Sequence, residues 1–290
     1  MTEQTTEVRH RIGRNGRVVL RSVAGSIRVR GTDTDEAVVV ARSERGTPPL
    51  NVERAEGSLL VEPPRAGLSI LGRSAGFREI DIDFDVELPR HARLDLSTVS
   101  AELTVEGVFG EQSYKTVSGD VRLADVGGRV SARAVSGDVE LHQGGRLELD
   151  ATTTSGDVTI HAQLLDRLSV RSVSGDVAIA AVLRPGPRHS VETVSGDLEL
   201  RSAGGVTVEL ARALDLGRAG RRPIVIGDGA AQLVFRSMSG EADVRAGDGA
   251  ERPSSAPARP DRLAILRALE RGEIDVDEAA RQLEEVGADA

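Results

Sequence analysis

The sequence predicts a mainly β protein: a parallel β-solenoid (β-helix) of short coils of about 18–22 residues, plus a small C-terminal helical hairpin. Three observations lead there. The hexapeptide Thr116-Val117-Ser118-Gly119-Asp120-Val121 returns at 134–139, 153–158, 172–177 and 193–198, with looser copies at 98–103 and 237–242. Its central serines stand at 100, 118, 136, 155, 174, 195 and 239, in steps of 18, 18, 19, 19, 21 and 44, the last read as two steps of 22. Second, apolar residues alternate with polar ones on both sides of each copy, which is the period of a strand with one face in and one face out. Four residues before the serine stand Leu96, Tyr114, Ala132, Ala151, Val170, Val191 and Phe235, and six before stand Leu94, Val130, Leu149, Leu168 and Leu233. Third, the chain has 2% aromatics, no Trp and 39% hydrophobic residues, so Val, Leu, Ile and Ala must fill the core, which suits narrow coils.

Taken in order, Arg9, His10, Arg11, Arg14 and Arg17 make a basic start that reads as a frayed, solvated terminus. Strand patterns follow at 18–23, 26–30 and 37–41, and Ser22-Val23-Ala24-Gly25-Ser26-Ile27, a degenerate copy, marks the start of the repeats. Segments 33–36 and 47–49 read as loops; 58–61 and 80–88 alternate again, with Asp81, Asp83 and Asp85 on one face of the latter. Glycine- and serine-rich 67–76 reads as a loop between them. The regular coils span about 91–208, with Gly127-Gly128, Gly144-Gly145 and Gly204-Gly205 at the returning corner. Residues 212–222 interrupt the pattern, which resumes at 224–226 and 233–244. The expected organisation is a β-solenoid at 10–246, a Pro- and Ser-containing linker at 247–260 and a helical hairpin module at 261–287.

In the hairpin, Leu263, Leu266 and Leu269 form one stripe that Gly272 ends. Asp275 and Glu278 then make a capping box ahead of a second stripe, Val276, Ala279, Ala280, Leu283 and Val286. Helices of about ten residues cannot bury such stripes alone, so this module is expected to dock a protein partner or to self-associate.

Within the motif two phases are possible. One turns at Gly-Asp with serine inward and leaves Val99, Val117, Val135, Val173, Val194 and Met238 as an exposed apolar ribbon, which soluble proteins usually avoid. The other bends just before that valine, so that valine, glycine and the next valine face inward while serine and aspartate share the outer face. The second is preferred, because Ala101 replaces the motif glycine in the first copy and alanine tolerates positive φ poorly. Gly156→Val is then expected to overpack the coil and cost about 1–3 kcal/mol, and Gly156→Ala to be milder, since Ala101 occupies the equivalent place. The preferred phase predicts an outer row of Glu102, Asp120, Asp138, Asp157, Asp176 and Asp197 beside Ser118, Ser136, Ser155, Ser174 and Ser195. That row is the candidate binding face, for divalent cations or an Arg/Lys-rich partner.

The serial Val-Ser-Gly-Asp-Val copies over about 10–245 resemble the bacterial putative-adhesin family of β-strand-repeat proteins of unknown function, the YvlB- and LiaG-like group. The segment 265–283, with Leu269-Glu270-Arg271-Gly272-Glu273-Ile274, is similar to the SHOCT-like helical modules that accompany such repeats. The resemblance implies a β-solenoid with an envelope-stress or assembly role and no established reaction.

Composition narrows the function. The net charge of −9 argues against nucleic acid, and no stretch approaches a membrane span. The absence of cysteine rules out disulfides and thiolate metal sites and fits a cytoplasmic protein. Acidic residues are spread evenly over the repeats, without a nucleophile elbow or phosphate loop, so no catalytic residue, metal site or cofactor is assigned. His142 and His161 share a column of neighbouring coils and are expected ~4.8 Å apart as surface histidines. The expected function is a non-catalytic scaffold or interaction protein. The alternative is a carbohydrate-active or metal-dependent solenoid enzyme with a groove near 212–222.

Overall fold

The computed structural model describes residues 4–44, 46–48, 50–64, 81–212 and 222–247. By its internal contacts the chain divides after Gly247. Residues 248–290, which carry almost all of the expected linker and the whole expected hairpin, lie outside the described residues, as do 213–221 of the interrupting segment and the 67–76 loop.

Every element among the described residues is a strand, so none of their segments is a helix long and apolar enough to cross a membrane. The first seven are β1 (Gln4–Arg11), β2 (Arg17–Arg21), β3 (Ser26–Thr32), β4 (Glu36–Ser43), β5 (Asn51–Ala55), β6 (Ser58–Glu62) and β7 (Asp83–Pro89). The regular repeats supply β8 (Arg93–Ser97), β9 (Glu102–Glu106), β10 (Glu111–Thr116), β11 (Val121–Ala124), β12 (Gly128–Ala134), β13 (Val139–Ser155), β14 (Val158–Ser174), β15 (Val177–Leu183), β16 (Arg188–Ser195) and β17 (Leu198–Ser202). The last four are β18 (Val206–Arg212), β19 (Ile224–Ile226), β20 (Ala231–Ser237) and β21 (Ala242–Ala246).

Each strand of the regular repeats, β8 to β17, stacks in parallel on its counterpart one repeat away. Tyr114 pairs with Leu96 and Ala132, Val121 with Leu103 and Val139, and Val158 with Val139 and Val177. The result is one hydrogen-bonded, mostly parallel sheet that wraps around the coil like a nearly closed barrel, with a solenoid-like repeat. Antiparallel pairings occur only at the two ends of the stack: β1 with β4, β4 with β7, β5 with β6, and β18 with β19. The inward columns form the core; Leu94, Leu96, Val121, Leu123, Leu141, Val158 and Ile160 have no exposed surface.

Four expectations change. The basic start is not frayed: residues 4–11 pair along their whole length with β4. The step of 44 is one level of the stack rather than two, since β16 pairs directly with β20 and β18 lies beyond β20. Between 195 and 239 no motif copy exists to hold a corner, so the chain passes outside as β18, returns as β19 and inserts β20. The strand expected at 80–88 runs Asp83–Pro89, where Phe84, Val86 and Leu88 are buried. The glycine pairs are not equivalent either. Gly128 turns with φ +79°, whereas Gly144-Gly145 lies inside the continuous β13, where register shifts against β14 absorb the extra residue.

Two polar side chains stand in a core column. Gln112 donates through Nε2 to the carbonyls of Val108 (3.0 Å) and Gly127 (2.9 Å), and its Oε1 accepts the Tyr114 hydroxyl at 2.7 Å. Burial pushes the Tyr114 phenol well up. His189 replaces the leucine of its neighbours, lies 2.9 Å through Nε2 from the Arg184 carbonyl, and is held below the ordinary histidine range by burial.

Candidate interaction face

The corner forms one residue later than expected. Thr116 is buried, Val117 and Ser118 both face outward, Gly119 faces inward, Asp120 faces outward and Val121 is buried. Two consecutive outward residues are the bend itself. Serine and aspartate share the outer face and glycine points inward, as expected, but the valine ribbon that the sequence argued against is present. Val23, Val99, Val117, Val135, Val173, Val194 and Met238 are 42–51% exposed, with Thr154 completing the row. The reason is the threonine. Thr98 Oγ1 accepts the Ala101 N–H at 3.0 Å, and Thr116 Oγ1 accepts the Gly119 N–H at 2.8 Å. A hydroxyl satisfying a backbone donor inside the bend must be inward, so its neighbour is turned out.

The corners stack without breaking the ladder. Ser100, Ser118, Ser136 and Ser155 donate their N–H groups to the valine carbonyls of the coil before, at 2.7, 2.8, 2.7 and 2.9 Å. Eight stacked corners, seven steps of about 4.8 Å, make a line ~34 Å long that is apolar at every corner but Thr154.

The aspartates have a structural task beside this line. Asp120 Oδ1 accepts the Asp138 N–H (3.1 Å), Asp138 that of Asp157 (2.8 Å), Asp157 that of Asp176 (2.8 Å), Asp176 that of Asp197 (2.9 Å), and Asp197 that of Glu241 (2.8 Å). Each carboxylate supplies the acceptor that the bent backbone withholds from the next coil. Glu102 departs from this: it pairs with Arg122, whose guanidinium also lies 3.2 Å from Asp120 and 3.5 Å from Glu140. The predicted row Glu102, Asp120, Asp138, Asp157, Asp176 and Asp197, with Ser118, Ser136, Ser155, Ser174 and Ser195, is thus one continuous outer strip.

A basic flank, which the repeat argument did not isolate, lies on the other side of the valines. Two residues before Val23, Val117, Val135, Val173 and Met238 stand Arg21, Lys115, Arg133, Arg171 and Arg236, all outward; Ser97, Thr152 and Glu192 hold the other three places, and Glu192 pairs with Arg171 and Arg236. The motif spacing carried that signal, but it reads as a flank only once the valine is known to face out.

The motif glycines are packed against backbone. A Cβ on Gly156 would come 2.3 Å from the Gly137 carbonyl oxygen, so even alanine there meets backbone, and the place of Ala101 is not equivalent to it. Ala101 belongs to the threonine-capped corner. His142 and His161 stack with ring centroids 5.6 Å apart and planes 18° apart. Among the described residues, no group of three or more His, Asp or Glu is placed to hold a metal ion. Two surface grooves of about 410 and 420 Å³ are lined largely by ion-paired groups, such as Arg17 with Asp95 and Arg129 with Glu148. Leu263, Leu266, Leu269, Val276 and Leu283 lie outside the described residues, as does most of the 212–222 segment.

Stacked parallel coils with a repeated outward corner define a solenoid-like β-repeat protein. The family model Toastrack DUF4097 matches residues 17–211, and the chain belongs to that family, one of unknown function. Solved structures similar to this chain include a "putative lipid binding protein" from Parabacteroides distasonis, 10% identical, TM-score 0.47, covering 84% of this chain and 97% of that one. A "putative adhesin" from Bacteroides fragilis is 10% identical, TM-score 0.45, over 83% and 97% of the two chains. Another from Parabacteroides distasonis is 12% identical, TM-score 0.43, over 83% and 97%. No curated protein matches the chain.

Proposed function

We propose that this chain is a non-catalytic interaction scaffold whose corner line is the docking face. The observation that carries this reading is the unbroken exposed row from Val23 to Met238, set against the aspartate strip. A contiguous apolar line is something soluble proteins keep for a partner. The chemistry that fits is an extended protein segment with aliphatic side chains over the valines and Arg or Lys over the aspartates, each of which accepts one backbone N–H. The C-terminal segment 261–287, similar to SHOCT-like modules, serves in this reading as a separate docking or oligomerisation hairpin through Leu263, Leu266, Leu269, Val276 and Leu283.

A synthetic peptide of alternating leucine and lysine tests the face by fluorescence anisotropy. Binding is expected to weaken at least about tenfold in Val135→Ser with Val173→Ser, and to fall with added salt. Melting should change little, because these side chains are outside the core. Equal affinity for wild type and variant would remove the valine line from the reading.

A further inference from the structure

The two ends of the stack are finished differently. At the N-terminal end, β1, β4 and the β5–β6 hairpin close the coil with antiparallel strands, and Val8 of the outermost strand is buried. At the other end β21 pairs with β17 along one edge, and among the described residues no strand occupies its second edge. The inner columns show the cut. Val121, Val139, Val158, Val177 and Leu198 are at most 1% exposed, and Leu123, Leu141, Ile160, Ile179 and Leu200 at most 2%. Ala242 and Val244, the last members of those columns, are only partly buried.

Register shows which backbone groups are open. Leu198 donates its N–H to the Glu241 carbonyl and Gly247 donates to the Ser202 carbonyl, both at 2.9 Å. Odd-numbered residues of this strand therefore face β17, and Ala242, Val244 and Ala246 turn their N–H and C=O groups outward. The strand reads Ala242-Asp243-Val244-Arg245-Ala246, with opposite charges placed symmetrically about Val244, so that it is self-complementary when run antiparallel. It has neither the lysine nor the proline with which edge strands commonly block pairing.

We propose that β21 is a self-association edge, on which a second copy of this chain adds its own β21 antiparallel about a two-fold axis through Val244. In that register Val244 meets Val244, and Ala242 meets Ala246 on both sides of the axis. These are the residues with open backbone groups, so each pair exchanges two hydrogen bonds. Asp243 then lies opposite Arg245 of the second copy, twice, in the closer non-hydrogen-bonded positions where opposite charges favour pairing. Within one chain these two groups already bond each other, Arg245 Nε lying 3.1 Å from Asp243 Oδ1, so pairing exchanges a local contact for one across the axis. Pairing also covers the remaining exposed part of Ala242 and Val244, which the core and the neighbouring β19 bury only partly. Glu7-Val8-Arg9 in β1 has a similar charge pattern, but Val8 is already buried and would gain nothing.

Sedimentation velocity on the full chain over a micromolar concentration series tests the proposal. Wild type should dimerise reversibly, and Asp243→Arg should weaken the dimer at least about tenfold by placing like charges opposite each other. Asp243→Arg combined with Arg245→Asp should restore it, which a merely structural defect would not allow. Val244→Pro removes one outward N–H while leaving the bonds to β17, so it should also weaken the dimer. A wild type that stays monomeric throughout the series overturns the proposal. So does a dimer indifferent to Asp243→Arg, or one lost only in Leu266→Asp with Leu283→Asp or in Glu7→Arg.

Discussion

Thr116 and Thr153 occupy the same place in their coils and differ in what their hydroxyls do. Thr116 Oγ1 accepts the Gly119 N–H at 2.8 Å. In the later coils that donor is redirected: Gly137, Gly156 and Gly175 donate to the serine carbonyls of the following coil, Ser155, Ser174 and Ser195, at 3.2–3.3 Å. The hydroxyls of Thr153, Ser172 and Thr193 are then buried without a protein partner. Replacing either threonine by valine keeps the shape and removes the hydroxyl. Thr116→Val should destabilise by about 1–3 kcal/mol, since it orphans a buried N–H, whereas Thr153→Val should be neutral or stabilising. Urea melts of the two variants check the contrast, and equal losses would refute the two-corner description. The difference is not legible in the sequence, where both residues begin a copy of the motif that differs only at the next position, Val117 against Thr154. Gln112 and His189 were more legible, because each interrupts an otherwise aliphatic column. What they bond to, the carbonyls of Val108, Gly127 and Arg184, depends on return turns that no residue pattern specifies.

Each corner joins two strands and must replace the ladder bonds that bending breaks, and this decides how to read the aspartate strip. The serine and aspartate side of the face was legible from alternation. The valine side was not, because hydrophobicity argued for burying it while the buried threonine had already taken the inner place. Carboxylates on adjacent coils, about 5 Å apart, repel by close to 1 kcal/mol per pair even in water. The N–H of the next coil offsets that at every step from Asp120 to Glu241. Asparagine keeps the carbonyl acceptor and removes the charge. Asp138→Asn with Asp157→Asn should therefore melt at or above wild type, while alanine at the same two positions, which removes the acceptor, should cost about 1 kcal/mol each. With the charges solvated locally, melting should be the same in millimolar calcium, magnesium and sodium of matched ionic strength. A rise specific to calcium or magnesium, absent from the asparagine variant, would instead make the strip a cation site.

The solenoid-like repeat was legible because every coil repeats one pattern, so spacing alone specified parallel stacking and the inward columns. The ends were not, because an end is where the pattern stops. The insertion of β20 between β16 and β18, and of β2 between β6 and β8, follows from pairing choices among strands far apart in sequence. In such a stack each coil touches only its neighbours, so stability is close to a sum of coil and interface contributions. Central coils have two interfaces and terminal coils one. Local opening should then start at the ends and move inward. In the monomer, at concentrations below dimerisation, native-state amide exchange is expected to be slowest in β10 to β14, where both neighbours are complete, and fastest in β5, β19 and β21, each of which then pairs along one edge. The gradient should be steeper toward β21 than toward β1, since Val8 is buried at one end while Val244 is only partly covered at the other. Exchange at one rate throughout, tracking global unfolding, would show that the stack opens as a single cooperative unit and that neighbour-by-neighbour addition does not describe it.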